Sequence, residues 1–138
     1  MLHRFVFYGT CKNLDLLQKI VGEKPTKIEW GFVRGKLFEV TDEFEPNKKV
    51  KYPIAILDDE HFIRSLMITY KLRREEFKLL FKKLLIFEGG LYKHKKIVFL
   101  NSDGSKQNGV IFVARSKKII KNNPKIIPLE PFEKTYTW

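Results

Sequence analysis

Apolar positions along the chain switch between two periods. Arg4-Phe5-Val6-Phe7-Tyr8 is a β-branched and aromatic run that stops at Gly9, which predicts a strand ending in a turn. Leu14, Leu17, Ile20 and Val21 then recur at helical spacing, and Asn13 stands where a cap belongs. Between Lys27 and Val40 the apolar residues Ile28, Trp30, Phe32, Val33, Leu37, Phe38 and Val40 are interrupted by Gly31 and Gly35. That pattern fits two strands or one long bent strand. Thr41 to Lys51 is polar, contains Pro46 and Asn47, and reads as a loop. Tyr52-Pro53-Ile54-Ala55-Ile56-Leu57 reads as a strand starting after a proline-constrained turn.

Phe62 to Tyr70 is again extended in character. From Arg73 the period becomes helical, with Phe77, Leu80, Phe81, Leu84 and Leu85 on one stripe and Gly89-Gly90 as the stop. Tyr92 to Leu100 and Gly109 to Arg115 form a predicted hairpin around Ser102-Asp103-Gly104. The segment from Ser116 is basic and broken by Pro124, Pro128 and Pro131, so it cannot be one long helix, although Phe132, Tyr136 and Trp138 give it means to dock on the body. Strands outnumber helices by about six to two, which predicts an α+β domain with a strongly curved sheet or small barrel.

Composition narrows the setting. The 138 residues amount to one ordinary domain, and 43% hydrophobic content with 12 Phe provides for a core. No apolar run approaches the ~20 residues of a membrane span. The N-terminus has no signal-peptide pattern, and a lone Cys11 cannot form an internal disulfide, so a cytoplasmic protein is expected. The 27 basic and 16 acidic residues leave a charge of +11. Lysines cluster at Lys48, Lys49 and Lys51, at Lys93 to Lys96, and at Lys117 to Lys125. No cluster carries the arginine-plus-aromatic interleaving of a single-strand platform, and no zinc-finger or recognition-helix pattern is present, so a lysine-rich solvated surface is expected rather than a nucleic-acid site.

One carboxylate breaks the pattern. Glu88 falls eleven residues after Phe77, close to three turns at ~3.6 residues each, so it continues the core-facing line of its helix. A carboxylate turned inward and placed in the last turn has its pKa raised by lost hydration and by the helix dipole, toward a range useful for proton transfer. If the helix ends a turn earlier, Glu88 is simply exposed beside Gly89-Gly90; spacing leaves both placements open. The turn Tyr8-Gly9-Thr10-Cys11, between a strand and a helix, can present consecutive backbone N–H groups to an anionic head group, with the Thr10 hydroxyl as a further donor. It lacks the second glycine and the Gly-Lys-Ser/Thr ending of a phosphate loop.

Phe7-Tyr8-Gly9-Thr10, Val33-Arg34-Gly35-Lys36-Leu37-Phe38, Tyr52-Pro53-Ile54-Ala55 and Phe87-Glu88-Gly89 with Tyr92 nearby resemble, in order and approximate spacing, the gamma-glutamylcyclotransferase-like superfamily. The resemblance covers roughly Phe5 to Ala114. It implies a domain over 1–115, a small mixed barrel or curved sheet flanked by two main helices, with residues 116–138 as a basic, proline-containing tail. It also implies a reaction in which a substrate α-amine attacks its own γ-carbonyl and closes 5-oxoproline. Glu88 is then the acid/base, the turn of Tyr8, Gly9, Thr10 and Cys11 holds the glutamyl head, and Tyr52 and Tyr92 line the cavity mouth. No metal or organic cofactor is implied, and the partner is a small gamma-glutamyl amine or related amide. The chain departs from the family pattern at Cys11, where the family has Leu, at Leu85 in place of Asp, at His94 in place of Arg, and at Ser65-Leu66 in place of Gly-Glu.

Other constellations carry less. His3, His61 and His94 are scattered and give Cys11 no base and zinc no ligand spacing. Asp58-Asp59-Glu60 reads as a solvated turn. Tyr52 and Tyr92 can equally be packed strand tyrosines. Two further functions stay open on sequence: a non-catalytic ligand-binding or interaction module of the same fold, and a nucleic-acid-associated protein working through Lys117 to Lys125. Oligomeric state is not encoded in any of these patterns.

Overall fold

A computed structural model describes residues 1–9, 13–45 and 48–138. Its first strand, β1 (Leu2–Phe7), alternates faces: Phe5 and Phe7 point to one core, Val6 to another. Helix α1 (Leu14–Val21) starts as the sequence predicts, with the Asn13 side chain accepting from Asp15 N at 3.1 Å and Leu16 N at 3.3 Å. The region from Lys27 to Val40 resolves into two strands, β2 (Lys27–Arg34) and β3 (Lys36–Glu45), which belong to different sheets. After β4 (Lys48–Ile56) and β5 (Phe62–Lys71) comes α2 (Arg74–Glu88). The hairpin β6 (Tyr92–Asn101) and β7 (Lys106–Ala114) follows, then α3 (Lys117–Asn122), β8 (Ile126–Pro128) and β9 (Thr135–Tyr136).

Strand pairing closes a barrel. The order β1-β7-β6-β2-β5 returns to β1 through an antiparallel ladder from Leu2↔Lys71 to Phe7↔Leu66, and only the β1–β7 contact is parallel within that ring. Closure removes the free edges that an open five-stranded sheet would expose. Val6, Val33, Ile63, Met67, Phe99, Ile111 and Val113 fill the interior. A second core lies between the outer wall and the two long helices, where Phe5, Phe7, Leu66, Ile68, Tyr70 and Phe112 meet Leu17, Val21, Leu80 and Leu84. Each such side chain, fully buried, is worth on the order of 1.5–3 kcal/mol. A three-stranded sheet, β4-β3-β8, packs beside the barrel over Val40, Ile54, Ala114 and Ile126.

Three expectations change. Thr41 to Lys51 is not a loop: β3 and β4 pair through Thr41↔Lys51, Asp42↔Val50, Glu43↔Lys49 and Glu45↔Lys48. Their backbones pair with one another whatever the side chains, so a polar sequence without alternating apolar positions hides the strands. The strand predicted to start at Tyr52 instead starts at Lys48, so Pro53 lies well inside β4, opposite Glu39. It is tolerated because β4 is the edge of its sheet, where one row of N–H groups has no strand to meet. Leu85 is exposed, since it sits one position, or ~100°, past Leu84 on the helix.

Residues 116–138 add one strand to each sheet: β8 pairs with β3, and β9 runs parallel to β5 through Phe62↔Thr135 and Ile63↔Tyr136. Ile126 and Tyr136 are buried. Among the described residues no helix is long and apolar enough to cross a membrane.

Candidate active site

Helix α2 carries the acid. Its first turn is fixed by Arg73, whose backbone N–H and Nε both donate to Glu76 Oε1 at 3.0 Å. Leu80 and Leu84 bury on the barrel wall with Phe77 and Phe81 beside them, and Glu88 is the next residue on that line and the last of the helix. Gly89 then ends it with φ +82°, a conformation that side chains rarely adopt, its N–H donating to Leu85 O at 3.2 Å. Of the two placements spacing allowed, the helix therefore runs through Glu88.

Glu88 faces a cavity of about 540 Å³. The end of β1 (Val6 to Gly9), Asp42 of β3, Tyr52 and Pro53 of β4, the segment Phe87 to Tyr92, and Phe112 enclose it. Predicted site residues Tyr8, Gly9, Tyr52, Tyr92 and Glu88 thus share one wall; Thr10 and Cys11 lie outside the described residues. Burial pushes the Glu88 carboxyl up to about 7. Among the described residues it has no hydrogen-bond or ion-pair partner, and no lysine or arginine lines the cavity.

The tyrosines, by contrast, are all engaged. Tyr8 donates to Phe112 O at 2.6 Å and accepts from Ala55 N at 3.2 Å, tying β1 to both β7 and β4. Tyr92 donates to Pro53 O at 2.5 Å, and Tyr52 donates to Asp42 Oδ2 at 2.5 Å. Burial raises the pKa of all three, and the charge of Glu88 adds to the shift at Tyr8 and Tyr92. They stay protonated at neutral pH and act as fixed donors. The Tyr52 and Tyr92 rings lie 6.4 Å apart across the mouth.

Gly9 is required by crowding. A Cβ there would come within 2.6 Å of Pro53 Cγ, so the backbone at Gly9 lies against β4 only because the side chain is missing. Asp42 is the site residue that sequence reasoning passed over. Its segment reads as a loop in sequence, and only the register, which pairs Val40 with Tyr52, makes Asp42 and Tyr52 diagonal neighbours on one face of the β3–β4 ladder. Two departures from the family pattern, Leu85 and His94, do not line the cavity; His94 instead sits edge-on to Phe81 at 5.0 Å. Ser65 is buried and donates to Ile63 O at 3.0 Å. Among the described residues no group of His, Cys, Asp and Glu is placed to hold a metal ion.

No family model and no curated protein matches the chain. Solved structures do. A protein of Arabidopsis thaliana with a solution structure aligns over 96% of this chain and 78% of its own, at a TM-score of 0.65 and 16% identity. The allophanate hydrolase of Kluyveromyces lactis aligns over 92% of this chain but 19% of its own, at a TM-score of 0.60 and 10% identity. A gamma-glutamyl cyclotransferase aligns over 84% of this chain and 68% of its own, at a TM-score of 0.55 and 6% identity. At these identities the likeness is one of fold: the chain has the α+β barrel architecture of gamma-glutamylcyclotransferase-like proteins.

Proposed function

We propose that the chain is an enzyme that releases 5-oxoproline from a gamma-glutamyl amine or related small amide by intramolecular aminolysis. One observation carries this reading: a carboxylate poised to titrate near neutrality, without a partner among the described residues, in the wall of a cavity that Gly9 also lines. Glu88 takes a proton from the substrate α-ammonium. The freed amine attacks the γ-carbonyl carbon, the C–N bond forms, and the γ-amide bond breaks. As the adduct collapses the attacking nitrogen gives up a second proton; Glu88 relays the two protons in turn to the departing nitrogen, so the products are 5-oxoproline and the ammonium form of the leaving amine, and Glu88 returns to its starting state. Backbone N–H groups of the turn from Tyr8 to Cys11 take the α-carboxylate. The apolar wall folds the chain of the substrate so that amine and carbonyl meet, and that positioning lowers the barrier.

The test is 5-oxoproline release from a panel of gamma-glutamyl amines and amino acids, each paired with its N-acetylated form. Turnover of at least one free amine, and of no acetylated one, is expected. Cleavage of acetylated members would mean that the α-amine is not the nucleophile; silence across the panel would leave the cavity to a binding module.

A further inference from the structure

Sequence spacing hides a surface that the barrel assembles. On β2 the residues Ile28, Trp30, Phe32 and Arg34 all point outward, while Gly31 and Val33 point inward. Register sets Phe32 directly between Arg64 of β5 and Leu100 of β6, and sets Arg34 opposite Phe62. The Arg34 guanidinium lies 5.1 Å from the Phe62 ring, the Arg64 guanidinium 5.0 Å from the Trp30 ring, and Phe32 meets Phe62 edge-on at 6.4 Å. Farther along the same wall, Lys96, Val98 and Leu100 of β6 and Lys106 and Asn108 of β7 border a second hollow of about 600 Å³ that reaches Arg34. Among the described residues no helix covers this stretch: Trp30 is 46% and Val98 47% exposed.

We infer that this bare outer wall, spanning β7, β6, β2 and β5, is a binding platform for single-stranded nucleic acid. It shares no residue with the cavity around Glu88. The chemistry follows from two needs of such a ligand. Unpaired bases stack on exposed aromatic or guanidinium planes, which Trp30, Phe32, Phe62, Arg34 and Arg64 provide in alternation. The phosphates need cations not already neutralised. Among the described residues, Arg64, Lys96 and Lys106 have no carboxylate partner, and Arg34 donates only to the backbone oxygen of Asp59, at 3.0 Å. Of the two acids at the rim, Asp58 is engaged by His61 at 2.9 Å and Lys36 at 3.8 Å. Asp59 is the exposed exception. A net charge of +11 adds long-range attraction. An acidic peptide would use the cations and waste the ring faces, which is why the aromatic interleaving favours bases.

Fluorescence anisotropy with labelled oligouridylate and oligothymidylate of about 12 nucleotides tests this, the two arms separating RNA from DNA preference. Binding is expected to weaken with salt at a log–log slope of about −3, from four cations at ~0.7 each. Trp30→Ala is expected to weaken it on the order of tenfold or more. Arg64→Ala and Lys106→Ala are each expected to flatten the slope by about 0.7. Lys106 is fully at the surface, so its variant stays informative even if Trp30→Ala lowers the melting midpoint. Absence of binding at about 50 mM salt overturns the proposal. So does parent-like binding by both Trp30→Ala and Lys106→Ala, or equal competition by polyglutamate or duplex DNA.

Discussion

Two hollows of similar size, about 540 and about 600 Å³, sit on this barrel and differ in how they treat charge. In the first, Glu88 is withdrawn from water and unpartnered among the described residues, and its pKa climbs to about 7. In the second, burial also works to raise Asp58, but hydrogen bonds from His61 and Glu60 outweigh it and hold the carboxyl below its usual value. The second hollow also displays Arg34, Lys96 and Lys106 to solvent. Size is therefore no guide to what a concavity does. A raised pKa arises where an ionisable group loses most of its water and finds no partner; attraction for anions arises where cations are shown without partners.

The sharpest way to break this contrast is substitution on both sides. Glu88→Gln is expected to lower 5-oxoproline release by a factor on the order of 10²–10⁴, the usual worth of a positioned acid/base, while Lys106→Ala leaves turnover at the parental level. Steady-state assays on the two variants would undo the comparison if they lost activity alike.

Stability against pH gives the next largest effect. Below pH 4.5 folded and unfolded chains both hold the Glu88 proton; between 4.5 and about 7 only the folded chain does. The folded state binds more protons there, so stability falls as pH rises through that window. At ~1.4 kcal/mol per pH unit the loss reaches at most ~3.5 kcal/mol. Urea unfolding at pH 5 and pH 8 should show this fall in the parent and its absence in Glu88→Gln; an identical fall in both would assign it elsewhere.

Tyr8→Phe probes the floor of the first hollow. Removing the hydroxyl leaves Phe112 O and Ala55 N without their partner in a buried place, at a cost of about 1–3 kcal/mol in chemical unfolding. Tyr92→Phe, nearer the mouth and releasing only the Pro53 oxygen, should cost less, about 1 kcal/mol. Equal costs would mean that the two hydroxyls are equally dry.

How much of this was legible depends on the range of the signal. The helix bearing Glu88 was readable because its spacing, its apolar neighbours and its terminating glycine all lie within a few turns of one another. The strands β1, β5 and β6 were readable for the same reason. The full β3–β4 hairpin was not, because Thr41 to Lys51 is polar, contains Pro46 and Asn47, and shows no alternating apolar pattern. The basic aromatic wall was least readable of all. Trp30, Phe62, Arg64, Lys96 and Lys106 come from four segments and become neighbours only through ladder register, which local patterns do not encode.

Since Glu88 closes its helix, its direction is set by rotational phase counted from the capped first turn. Each residue inserted into or deleted from α2 would swing the carboxylate by ~100°, out of the cavity and into solvent or the wall. Lengthening by seven residues, nearly two full revolutions, would restore the bearing but carry the group ~10 Å along the axis, beyond reach of the Gly9 turn. The helix is thus a measured spacer, and among descendants of this chain its length should drift far less readily than that of the hairpin tips.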